Sequence, residues 1–189
     1  RIRDRFLNQW LKVMVSASSK LDAGLGFFTH AFPESVLQDK DRYRRAKEDL
    51  YSRFAELSSY ASEESGHAIA VEQMYSPHQI PWTIEGGREL LSEVRRLSSG
   101  KPFYITIDVG HQCGQRKYLF PTGEKIRKKL QAYRQGERAT DFWLGPREAY
   151  RLFYEAGKTA AIKDDAYISK IRDAAGEYPH LFASYDDGD

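Results

Sequence analysis

The stretch Phe103-Tyr-Ile-Thr-Ile-Asp-Val-Gly-His111 decides how the rest of the chain reads. From Pro102 to Val109 it is almost continuously β-branched or aromatic, which is the composition of a strand, and Gly110 breaks it. A carboxylate, Asp108, emerges as the strand finishes, and His111 follows past the turn. An earlier stretch has the same form: Ala68-Ile-Ala-Val71 is compact and apolar, and Glu72 closes it before Gln73 and Met74. A third apolar run, Leu25-Gly-Phe-Phe-Thr-His-Ala-Phe32, lies between Gly24 and Pro33, with His30 near its carboxyl end.

Helical patterns separate these strands. Ile2, Phe6, Leu7, Trp10, Leu11, Met14 and Val15 recur at three- and four-residue steps and predict an amphipathic helix. From Asp39 to about Ser65 there is no proline or glycine, and Tyr43, Ala46, Leu50, Phe54, Leu57 and Tyr60 keep a helical period that Gly66 ends. Thr83 can cap a helix running to about Ser98. Further helices are expected over Gly123 to Arg134, Gly145 to Ala156 and Ala166 to Ala175, before a weak extended run at Leu181 to Tyr185. Strands buried on both faces and separated by helices predict an α/β fold with a parallel sheet, doubly wound or closed into a barrel. No composition shift marks a linker, so 1–189 reads as a single domain.

Composition narrows the classes of function. The chain has 189 residues, of which 41% are hydrophobic, enough to build a core. Its 29 Lys+Arg nearly balance 27 Asp+Glu, so no global field steers it to nucleic acid or to an anionic membrane. No stretch approaches the roughly 20 apolar residues of a membrane span, and no signal-peptide core opens the sequence. The one cysteine, Cys113, cannot form an internal disulfide, which fits a reducing compartment, so a cytoplasmic location is expected. Neither a Walker pattern nor Gly-x-Gly-x-x-Gly occurs, which leaves nucleotide binding unsupported. Arg1 at the start and the polar run Ser184 to Asp189 at the finish read as cut ends.

In parallel β/α folds the working groups sit at the carboxyl ends of strands. Glu72, Asp108 and His111 have that placement, and two carboxylates with an imidazole are donors that Mn²⁺, Mg²⁺ or Zn²⁺ accepts. Adjacent strands about 4.8 Å apart bring such ends within reach of one ion. The competing reading makes the carboxylates helix caps or ion-pair partners. The loop Met74-Tyr-Ser-Pro-His-Gln-Ile-Pro-Trp-Thr83 is stiff and aromatic. It is either a pocket wall, with Trp82 packing on substrate and His78 or Gln79 bonding its hydroxyls, or a rigid connection. Arg116 and Lys117 are either a phosphate or carboxylate clamp or a solvated charge pair.

Ile69-Ala-Val-Glu-Gln-Met74 and Ile105-Thr-Ile-Asp-Val-Gly-His111 together resemble the xylose isomerase-like TIM barrels, in particular the tagatose epimerase-like branch. That superfamily holds sugar and sugar-phosphate isomerases and epimerases, and also endonuclease IV. The resemblance covers mainly residues 66 to 112. It implies a parallel (β/α)8 barrel of which this chain is the incomplete central portion, about strands 4 to 6 with flanking helices. It implies that Glu72 is a metal ligand and the catalytic proton-transfer carboxylate, Asp108 a second ligand and His111 a substrate contact. The branch completes its site with a further His and a second Glu from later strands, and neither is found; His180 and Glu177 precede the last extended run and would lie on the wrong face.

The activity implied is divalent-metal-dependent isomerisation or epimerisation of a small sugar or sugar phosphate through an enediolate. Nucleic acid and membrane are not expected as partners, and homo-oligomerisation stays open. The alternatives are an endonuclease IV-like nuclease, a lyase or dehydratase on the same barrel, and a binding module without chemistry.

Overall fold

The structure is a computed structural model and describes residues 2–64, 66–138, 143–159 and 161–177. Three short strands, β1 (Leu25–Phe27), β2 (Ile69–Glu72) and β3 (Tyr104–Thr106), form a parallel sheet in the order β1-β2-β3. Leu25 pairs with Ile69, and Glu72 with Thr106. Because side chains alternate across a strand, Ile69 and Val71 face the core while Ala70 and Glu72 face the other way.

Among the described residues, the helices whose apolar side chains join those of the sheet do so on the first of these faces. The chain begins with α1 (Ile2–Phe6), passes through a π-helical segment (Leu7–Leu11) into α2 (Lys12–Lys20), and meets the short α3 (Glu34–Leu37) after β1. The long α4 (Lys40–Glu64) follows, uninterrupted by proline or glycine, and buries Tyr51, Phe54, Leu57 and Ala61 at helical spacing. Gly66, at φ +68°, terminates it by donating its N–H to the Ala61 carbonyl at 3.0 Å. After β2, α5 (Ile84–Leu97) starts at Thr83, whose Oγ1 accepts the Gly86 N–H at 3.0 Å. Gly87 lets α5 approach the sheet, since a Cβ there would come within 3.1 Å of Ile105 Cδ1. Leu90 and Val94 of α5 join Phe54, Leu57, Ile69, Val71 and Phe103 in one apolar cluster. In that cluster the Phe54 ring lies 5.5 Å from Phe27 and 5.2 Å from Phe103.

The chain divides into two compact units. The first holds the sheet with α1, α2, α4 and α5, and the chain leaves it within α6 (Val109–Gly114). The second holds α3, residues 76–78, α7 (Gly123–Arg134), α8 (Arg147–Gly157) and α9 (Asp164–Glu177). Of these, α7, α8 and α9 pack on one another through Ile126, Leu130, Phe153 and Ile171, with Leu144 of the loop before α8 in the same cluster. Arg134 reaches from α7 to the buried Asp164 at 2.6 Å and to the Ala156 carbonyl at 2.8 Å.

The expectation of a TIM barrel, or of the central portion of one, is overturned. The chain is mostly helical, the three-stranded sheet is not closed, and no strand follows Thr106 among the described residues. The physical reason lies in the burial pattern. Gly26, Tyr104 and Thr106 are exposed, so among the described residues the strands are buried on one face rather than two. The apolar residues after position 122 serve a helix-on-helix core instead of alternating with further strands. The strands are also shorter than the apolar runs that contain them: Phe28 is already exposed, as is Ile107. The extended run at 181–185 lies outside the described residues.

Candidate metal centre

Glu72 is the last residue of β2 and points to the uncovered face of the sheet. Its register partner is Thr106, so Asp108 stands one strand pleat further along the neighbouring chain segment. Asp108 then opens α6: its Oδ1 accepts the N–H of Gly110 at 2.6 Å and that of His111 at 3.3 Å. The His111 and Gly110 amides together hold the Asp108 carboxyl below the usual carboxylate range. The same turn carries His111 back over the strand ends.

His111 is fixed from the other side by the backbone. Its Nδ1 lies 2.8 Å from the Gln73 carbonyl oxygen. A carbonyl only accepts, so Nδ1 carries the proton in this contact, and in the neutral ring the lone pair lies on Nε2. Nε2 stands 3.8 Å from Asp108 Oδ2, beyond hydrogen-bond range, and Nδ1 stands 3.4 Å from Glu72 Oε1. The Tyr75 ring lies 5.2 Å from the imidazole, centroid to centroid.

Glu72, Asp108 and His111 therefore form a group able to hold a metal ion: each is half-buried and offers one ligand atom, and these atoms lie within 4.8 Å of one another. The donor set fits. Two carboxylates offset a dipositive charge, and an imidazole whose other nitrogen donates to a backbone carbonyl is the usual form of a metal-binding histidine. Ligands at about 2.1 Å from a shared ion lie at most about 4.2 Å apart, so side-chain shifts of under about 1 Å close the group.

The remaining sequence-derived candidates are distributed differently. Trp82 is half-buried in the first unit, and its backbone carbonyl accepts a bond from Gln73 Nε2 at 3.2 Å. Gln79 is half-buried in the same unit. His78 belongs to the second unit, where its Nε2 lies 3.4 Å from Ser76 Oγ and burial lowers the pKa of its imidazole. Arg116 and Lys117 belong to the 3-10 turn Gln115–Tyr118 of the second unit, and their side chains lie outside the described residues, as do His180 and the Glu177 side chain. Sequence reasoning missed Gln73. A polar residue in a core-facing register was its signal, because such a side chain must find partners.

Compared with known proteins, the chain has no match: no family model, no curated protein and no solved structure is similar to it. Among the described residues, no helix is long and apolar enough to cross a membrane.

Proposed function

We propose that Glu72, Asp108 and His111 bind one divalent cation, Mn²⁺, Mg²⁺ or Zn²⁺, and that the site isomerises or epimerises a small sugar or sugar phosphate by proton transfer. The observation that carries this reading is the convergence of two carboxylates on an imidazole oriented by the Gln73 carbonyl, at an open strand end. Three protein ligands at a half-exposed position leave room for substrate oxygens, which is the pattern of catalytic rather than closed structural sites. When bound, the cation polarises the substrate carbonyl as a Lewis acid.

The chain's own groups do the rest. Glu72 takes the proton from the carbon beside the carbonyl through a carboxylate oxygen, and the C–H electron pair moves into the enediolate. Return of the proton to the neighbouring carbon, as the hydroxyl proton passes to the former carbonyl oxygen, gives the isomer; the epimer forms when a water on the opposite face delivers a proton to the original carbon while Glu72 keeps the first. Asp108, held in its ionised form by two amides, keeps its charge throughout. Gln79 and Trp82 are the candidate hydroxyl-binding and stacking side chains of the same unit. The exposed free thiol of Cys113 fits a reducing, cytoplasmic setting.

Solvent exchange tests this reading. The protein is incubated in D₂O with each metal and a panel of aldoses, ketoses and their phosphates, and the α C–H signal is followed by proton NMR. Metal-dependent loss of that signal, abolished by Glu72→Gln, is expected. A protein that binds metal and exchanges none of the panel contradicts the isomerase reading.

A further inference from the structure

Gln73 sits beside the metal group without belonging to it, yet it touches every element that builds the group. Its N–H donates to the Thr106 carbonyl at 2.8 Å, tying β2 to β3 one residue past their last paired position. Its buried side chain donates from Nε2 to the Met74 carbonyl at 2.9 Å and the Trp82 carbonyl at 3.2 Å. Met74 N–H donates to the Pro81 carbonyl at 2.7 Å, which closes the 75–82 loop on the same peptide. The Gln73 carbonyl is thereby held in one direction, and that direction is the His111 Nδ1.

We propose that Gln73 is a positioning residue: by fixing its own carbonyl it sets which nitrogen of His111 bears the proton, and so presents the Nε2 lone pair on the side of Asp108. This rests on the metal-binding reading above. The side chain is the part that can be tested. Without its Nε2, the Met74 and Trp82 carbonyls at the loop neck lose this donor, and the 73–74 peptide is pinned from the loop side by the Met74–Pro81 backbone bond alone, so the Gln73 carbonyl is held less firmly. The imidazole then loses a fixed acceptor, its tautomers mix, and the lone pair is presented only part of the time. Loss of such an outer partner of a metal-bound histidine weakens metal binding by about 10- to 100-fold.

The test compares Gln73→Met, which keeps the volume and removes the donors, with Ser58→Ala. Ser58 is a control of the same kind elsewhere in the unit, because its buried Oγ donates to the Pro102 carbonyl at 3.0 Å. Two readouts are taken: the His111 tautomer in metal-free protein by long-range ¹H–¹⁵N spectra, assigned with His111→Asn, and the affinity for Mn²⁺ and Zn²⁺ by calorimetry. The wild type and Ser58→Ala are expected to show the Nδ1–H form and equal affinity, and Gln73→Met a mixed tautomer with binding weakened by about 10-fold or more. An unchanged tautomer and affinity in Gln73→Met overturns the proposal. Should Gln73→Met not fold, Gln73→Asn, one methylene too short to reach both carbonyls, is read the same way. A wild type that binds neither ion while keeping the Nδ1–H form overturns the metal reading instead.

Discussion

Asp108 divides its two oxygens between the fold and the site. Oδ1 takes the amides that start α6, and Oδ2 turns toward His111 Nε2. Asp108→Asn keeps an acceptor for the amides and loses the charge, whereas Asp108→Ala loses both. The first variant should keep the melting temperature and bind metal at least about 10-fold more weakly; the second should also melt earlier, as calorimetry would show. Another residue-scale expectation concerns alkali. Burial, with Glu89 nearby, pushes the Tyr43 phenol up to about 12, and burial raises Tyr51 as well. The folded phenol titrates above its unfolded value near 10, so its contribution is whole below about pH 10 and is lost as pH rises through about 12. The part of the 295 nm phenolate absorbance that Tyr43→Phe removes should rise together with loss of helical circular dichroism over that window. Titration near 10 with intact helix would contradict it. Glu72, Asp108 and His111 were legible in the sequence because polar residues emerge there from apolar runs. Gln73 was missed: its core-facing register signals that its side chain needs partners, but those partners are backbone carbonyls, which leave no mark in residue identity.

At the scale of elements, α4 and α5 were legible for the same reason that they are stable: unbroken helical spacing, a threonine cap and a glycine stop. The first helix was misread in its facing. Only Leu7 and Val15 are buried there, with Leu11 packed between them, while Ile2, Phe6, Trp10 and Met14 are exposed. Both sets repeat every four residues. A π-helical segment underwinds the helix so that they run as two separate stripes, which a 3.6-residue period merges into one. Leu57 of α4 is fully buried at the centre of the first unit's cluster. Leu57→Ala should therefore cost about 2–5 kcal/mol in denaturant unfolding. Trp10→Ala, on the exposed stripe, should change stability by no more than about 0.5 kcal/mol.

For the whole molecule, the number of strands and their closure were beyond the reach of sequence pattern. An apolar run such as Leu25 to Phe32 suits a strand buried on two faces or on one, and only the presence of covering helices decides which. Here α4 and α5 cover one face, and the later helices spend their apolar residues on a separate core. That separation has a measurable consequence. Leu130→Ala, in the second unit, should cost about 2–5 kcal/mol in unfolding and leave metal affinity unchanged at temperatures where the protein stays folded. The central claim is that one ion is held by Glu72, Asp108 and His111. Calorimetric titration of Mn²⁺, Mg²⁺ and Zn²⁺ into the wild type, Glu72→Gln, Asp108→Asn and His111→Gln tests it most directly. The account predicts one ion per wild-type chain for at least one of the metals, and binding weaker by about 10-fold or more in each variant with circular dichroism unchanged. No binding by the wild type, or undiminished binding by folded variants, would contradict it.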